Sequence, residues 1–119
     1  MEKSKIIGEV IAKWLPDGRK MEIQSGITFR DKDGVMWGSY HGDTVDGSSI
    51  PRVLWSIIGS PFVGKHRIAS VLHDIECQSK SMPYKQVHRM YYDVCIACGV
   101  NKYKAKAMYL GLKIGAPRW

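Results

Sequence analysis

The spacing of hydrophobic and polar side chains changes once along this chain, from a period of two to a period near 3.6. In the first part, Met21-Glu22-Ile23-Gln24-Ser25-Gly26-Ile27-Thr28-Phe29 alternates apolar and polar positions over most of its length, as a half-buried strand does. Val35-Met36-Trp37-Gly38-Ser39-Tyr40 follows across Asp31-Lys32-Asp33-Gly34, a strong turn signal, and the two runs read as a β-hairpin. Pro16-Asp17-Gly18 marks an earlier turn. Residues 6–15 before it suit either a further strand or a short helix.

Residues 42–51 form a loop rich in glycine and oxygen-bearing side chains, closed by Pro51, which suits the first turn of a short helix over 52–58 with Ser48 or Ser49 as its cap. Beyond Gly59-Ser60-Pro61 the helical period takes over. Ile68, Val71, Leu72 and Ile75 form a stripe over 65–80. After the break at Ser81-Met82-Pro83, Val87, Tyr91, Val94 and Cys98 form another over 84–98, which Gly99 ends. Asn101 caps a last helix to about residue 114, stopped by Gly115 and Pro117. The fold class is α+β: a small N-terminal antiparallel sheet or hairpin, a ligand-type loop, then three helices, in one domain over 1–119.

Composition supports a globular chain: 119 residues, 45% hydrophobic, mean hydropathy −0.22. No apolar run approaches the roughly 20 residues of a membrane span. Glu9 interrupts the apolar stretch that a signal peptide would need, so synthesis in the cytoplasm is expected. Cys77, Cys95 and Cys98 are an odd set, and the C-x-x-C pair sits inside a helical run without a second pair, so reduced thiols are expected rather than a zinc site or disulfides. The net charge is +7, and no acidic residue follows Asp93. Lys102, Lys104 and Lys106, with Lys113 and Arg118, therefore offer a basic C-terminal face to an anionic membrane surface, an acidic protein or, less favoured for want of any motif, nucleic acid. An ordinary solvated lysine face is the plainer alternative.

Chemistry concentrates at His73-Asp74, an imidazole beside a carboxylate at the end of an apolar helical run. Helices joined by a short break pack antiparallel, so His88 can face His73 across the Ser81-Met82-Pro83 turn. The Asp46-Gly47-Ser48 loop adds hard oxygen ligands. Asp46 and Asp74 suit calcium, or zinc together with the two histidines. His41 precedes the loop, and His66 lies seven residues before His73, where a solvent-side position is expected. The plainer reading of the pair is a hydrogen-bonded helix end, and of Trp55, Tyr91 and Tyr92 ordinary core.

The runs Asp46-Gly47-Ser48-Ser49-Ile50-Pro51-Arg52-Val53-Leu54-Trp55 and Ala69-Ser70-Val71-Leu72-His73-Asp74, with the ending Gly115-Ala116-Pro117-Arg118-Trp119, resemble a family of unknown function common in tailed bacteriophages and prophages. The resemblance covers roughly 35–119 and implies a phage origin without an activity. A more distant similarity is to prokaryotic secreted phospholipases, which combine a glycine-containing calcium loop with a His-Asp helix. That likeness implies His73 as general base, Asp74 as calcium ligand and further oxygens from the loop around Asp46 and Ser48. It departs at position 88, where His88 stands in place of the aspartate that orients the base, with Asp93 as a substitute more than a turn away. Two expectations result. The first is a virion-associated tail or ejection component, in contact with other phage structural proteins, that keeps the His-Asp site as a structural clasp. The second is a calcium- or zinc-dependent lipid or ester hydrolase with His73 and His88 as its catalytic pair. His88 favours the first.

Overall fold

A computed structural model describes residues 5–119 and, among them, all side chains but those of Ile57 and Ile58. The signal-peptide reading rests partly on residues 1–4, which lie outside the described residues. The N-terminal part is built from six short strands: β1 (Lys5–Ile7), β2 (Ala12–Trp14), β3 (Met21–Ile23), β4 (Ile27–Arg30), β5 (Met36–Ser39) and β6 (Thr44–Val45). They form two three-stranded antiparallel sheets, ordered β1-β4-β5 and β2-β3-β6.

One register runs through both sheets. Lys5 faces Arg30 in one and Trp14 faces Met21 in the other, without any gain or loss of a residue between them. The same holds for Arg30 facing Met36 and Met21 facing Val45. The sheets are thus halves of a single three-stranded meander, folded over along a line through residues 8–11 and 24–26. Gly8, at φ +98, makes the fold line: a Cβ there would strike the Gly26 carbonyl. Ser25 bridges the gap left in the ladder, its Oγ accepting from Ile11 N at 3.3 Å and donating to Glu9 O at 2.6 Å. Residues 6–15 are therefore strand on both sides of a bend. The alternating run 21–29 is likewise two strands, because its side chains keep the period of two while its backbone changes sheet.

The turns form as their residues require. Asp17 Oδ1 accepts from the amides of Arg19 and Lys20, and Asp31 Oδ1 accepts from those of Asp33 and Val35.

Four helices follow: α1 (Arg52–Ile58), α2 (Arg67–Ser79), α3 (Tyr84–Ala97) and α4 (Lys102–Gly115). Asn101 caps α4, its Oδ1 accepting from Tyr103 N at 2.9 Å. At the end of α3, Val100 N bonds Cys95 O and Gly99 N bonds Ile96 O, a Schellman closure. The predicted cap of α1 is not made: Pro51 holds the cap position with no side-chain bond, and Ser49 is engaged elsewhere.

Helix α2 is the centre of the molecule. Val71 packs with Met21, Ile23, Ile27 and Val45 of the meander, whereas Ala69, Leu72 and Cys77 join the cluster made with α3 and α4. Ile68 touches both clusters. Packing on two sides buries every residue of this helix from Ala69 to Asp74, so the polar residues among them need partners of their own. Among the described residues no helix is long and apolar enough to cross a membrane.

Candidate functional site

Three elements converge on α2 about a turn and a half before its end. The 46–49 loop approaches from the meander, α3 lies antiparallel alongside, and the C-terminal segment closes over both. His73 is 0% exposed, Asp74 2%, His88 1% and Ser49 3%, so the site is internal.

Asp74 holds the loop. Its Oδ2 accepts from Asp46 N at 3.0 Å and from Gln78 Nε2 at 3.3 Å, and its Oδ1 accepts from Ser49 N at 3.2 Å. Burial pushes its carboxyl above the ordinary value of 3.8 despite the opposing hydrogen bonds from the loop, the Ser49 hydroxyl among them. Gly47, at φ +80, lets the chain turn tightly enough for the flanking amides to point at one carboxylate, and its missing side chain leaves room for Trp55, Pro61 and Phe62. The Asp46 carboxylate does not share in this. Its Oδ1 accepts from Ser48 N at 2.9 Å in an Asx turn, and Ser48 is exposed at the surface of the loop.

His73 continues the network. Its Nδ1 lies 3.0 Å from Ser49 Oγ and its Nε2 lies 2.9 Å from His88 Nδ1. The ring planes differ by only 25° at a centroid distance of 5.1 Å. That separation is nearly the N···N distance plus the two ring radii, so the imidazoles meet edge to edge instead of overlapping. Tyr91 closes the site edge-on to His73 at 5.6 Å, and Cys77 Sγ lies 3.6 Å from Nδ1.

Burial, with His88 alongside, pushes His73 down to about 3, so the ring is neutral, one nitrogen donating and the other accepting. The Ser49 hydroxyl meets its Nδ1 and also favours the charged form of Asp74. His88 Nε2, beyond the pair, has no hydrogen-bond partner. Burial lowers the His88 ring as well; the Pro117 carbonyl favours a proton on it, and Arg118 disfavours one. A polar chain thus runs from His88 through His73 and Ser49 to Asp74.

Ser49, His73 and His88 stand in the order nucleophile, base and orienting group, yet the chemistry is unfavourable. A base held at about 3 takes up protons poorly at neutral pH, and the Ser49 hydroxyl is turned inward. Calcium fits no better. A calcium loop turns carbonyls and carboxylates toward one point, whereas this loop turns N–H groups toward Asp74. Among the described residues no group of three or more His, Cys, Asp and Glu side chains could hold a metal ion, so Asp46 and Asp74 as they stand complete neither a calcium nor a zinc site.

Other expected residues fall elsewhere. His66 is 3% exposed rather than solvent-side, because it precedes α2 and its Nε2 meets Ser60 O at 3.0 Å. His41 is exposed. Asp93 pairs with Arg89 at 3.4 Å, which leaves His88 as the partner of His73. Lys102, Lys104 and Lys106 are all exposed on α4. At about 100° per residue, however, only Lys102 and Lys106 share a stripe, one that continues through Tyr109 to Lys113. Lys104 points to the opposite side, beside the His66 end of α2 in a cleft that also contains Lys65. Cys77 and Cys95 are buried free thiols pushed up to about 12 by burial.

Two residues of the site carried no local signal. Ser49 reads as a helix cap, and its role depends on the loop docking against α2. Trp119 covers His88 at a ring distance of 6.5 Å and Tyr84 at 6.1 Å, anchored by Nε1 donating to Met82 O at 2.8 Å. Its place in the C-terminal motif was the only hint.

The chain is similar to known proteins over most of its length. An uncharacterized protein of Sinorhizobium fredii, y4jT, is 44% identical over 98 residues, and a second from the same organism, y4iH, is 33% identical over 97. Each alignment takes in 82% of this chain, which spans 29% of the length of the first relative and 41% of the second. No solved structure matches the chain. Residues 21–112, from the second strand of the meander to the last turn of α4, match the family described as protein of unknown function DUF1353, and the chain belongs to that family.

Proposed function

We propose that this chain is a virion-associated module of a tailed bacteriophage, a tail or ejection component in which His73 and Asp74 are a structural clasp. One observation carries the clasp: both nitrogens of a fully buried His73 are engaged, and both Asp74 oxygens hold amides of the 46–49 loop. A network in which His73 and Asp74 are satisfied from within rigidifies a fold and leaves neither group free to act on a substrate. The resemblance of the loop, the Leu-His-Asp helix and the C-terminal tryptophan to a tailed-phage family supplies the setting. In this reading the partners are other phage structural proteins, and the chain passes from the host cytoplasm into the particle. The test is a tagged copy in a lysogen that encodes the chain. After induction it bands with density-purified particles; its absence from them would refute the virion role.

A metal-dependent lipid or ester hydrolase is the second reading. It is favoured by the 2.9 Å contact of His73 Nε2 with His88 Nδ1, the position where the phospholipase likeness places an orienting group. Fatty-acid release from anionic phospholipid vesicles, measured with calcium, with zinc and with chelator, separates the two. The clasp reading expects no release above that of His73→Ala. Metal-dependent release that a folded His73→Ala protein lacks would replace the clasp with the enzyme.

A further inference from the structure

The outer end of the polar chain opens on a second feature. Tyr84, Lys85 and His88 of α3 and Tyr109, Lys113 and Arg118 of the C-terminal part line a cleft of about 290 Å³. Three of these six side chains are cationic at neutral pH, and none is acidic. Arg118 is fixed at the cleft by Nη2 donating to Ile114 O at 2.9 Å and Lys113 O at 3.3 Å, and Lys113 Nζ lies 5.4 Å over the Tyr109 ring. His88, 1% exposed, contributes a buried ring nitrogen without a partner, and buried polar atoms in folded proteins rarely lack one. Tyr84 stands beside it at 5.7 Å.

We propose that this cleft binds a small phosphomonoester. Its phosphate lies among Lys85, Lys113 and Arg118, with His88, which takes up a proton at Nε2 as the dianion binds, as the innermost donor, and its apolar body lies between Tyr84 and Tyr109. Three cations without a lining acid match a dianion better than a carboxylate. The volume is close to the lower end of small-ligand clefts, about 300 Å³, enough for a phosphate and one ring-sized group. Lys102 and Lys106, on the same stripe of α4 as Lys113, extend the positive potential outward from the cleft. The site shares His88 with the clasp but needs neither Ser49 nor Asp74, and the lysine variants test it without touching the clasp.

The phosphate has two sources, a soluble ester or the headgroup of a lipid such as phosphatidic acid. Calorimetry at constant ionic strength with phenyl phosphate, inorganic phosphate and phenol, and sedimentation with phosphatidic-acid and phosphatidylcholine vesicles, test the site and its source together. Phenyl phosphate is expected to bind at least tenfold more tightly than phosphate or phenol. The exposed pair Lys85→Gln/Lys113→Gln weakens it at least tenfold, whereas Lys13→Gln/Lys65→Gln, an equal loss of charge elsewhere, changes it less than twofold. His88→Phe, which keeps a ring between Tyr84 and Trp119, also weakens it. Capture by phosphatidic-acid vesicles that the Lys85/Lys113 variant loses assigns the phosphate to a lipid; phenyl phosphate binding without capture assigns it to a soluble ester. Equal affinities in the two double variants, or no saturable binding to either probe, would overturn the proposal.

Discussion

Acidification gives the most direct measure of how His73 is held. Its ring titrates at about 3 in the fold, against 6.5 for a free imidazole. The folded ring is neutral where the unfolded chain has already taken up a proton. The stability contributed by the neutral ring is therefore complete above 6.5 and is lost as the pH falls from there toward 3. Between pH 7 and pH 5 the linkage amounts to about 2 kcal/mol, at about 1.4 kcal/mol for each full unit below 6.5. His66 and His88 are lowered too and act in the same direction, while Asp74 and Asp93 are raised and oppose them, so the test must be differential. His73→Gln removes the titrating ring and keeps a carboxamide to meet His88, at a cost of about 1–3 kcal/mol at pH 7. Urea unfolding followed by tryptophan fluorescence at both pH values gives four stabilities. The wild type is expected to lose about 2 kcal/mol more than the variant on going from pH 7 to pH 5, with m unchanged. Equal losses would refute the reasoning, since the ring would then take up its proton without unfolding.

Asp74→Ala leaves the amides of Asp46 and Ser49 without their acceptor and is expected to cost about 2–5 kcal/mol in urea unfolding, whereas Asp46→Ala, which removes only an exposed Asx turn, costs about 1 kcal/mol or less. A smaller loss for Asp74→Ala than for Asp46→Ala would contradict the clasp. Gly111→Val drives a side chain into Leu54, whose Cδ2 would lie 2.7 Å from the new Cβ, and should lower stability by about 1–3 kcal/mol; an unchanged melting temperature would mean that α4 does not seat against α1 in this way. With Cys77 and Cys95 pushed up to about 12, iodoacetamide at pH 8 should label Cys98 first in the native protein and the other two only on unfolding. Native labelling of Cys77 at the rate seen in denaturant, read by peptide mass spectrometry, would show that α2 is open at its end.

Much of this architecture was legible because local chemistry and the final fold agree. Asp31 and Gly34 make a turn from bonds within residues 31–35, Asn101 caps the helix that follows it, and the stripe Val87, Tyr91 and Val94 is buried as its period requires. The meeting of His73 and His88 could be foreseen from the length of the break between their helices. What escaped depended on contacts distant in sequence. Ser48 and Ser49 have the composition of a helix cap, and nothing local says that Ser49 turns instead to a histidine 24 residues away. The acceptor role of Asp74 was hidden for the same reason, since Asp in a glycine loop and Asp on a helix suggest shared metal ligation until the loop is seen to offer N–H groups. His66 looked solvent-side because Lys65 and Arg67 flank it, yet it lies at a helix start, where the helical face rule does not apply.

The unbroken register of the meander makes its two small sheets dependent on each other. Side chains on a strand alternate between faces, so one residue inserted at the fold line near Gly8 would turn every position of β1 over relative to β2. Ile6, packed against the helical core, would exchange places with the charged Lys5 or the exposed Ile7. Two inserted residues would restore the faces and only lengthen the bend. Length variation at this line should therefore come in even steps, which makes the folded meander a counting device: its geometry tolerates added chain, but its parity does not.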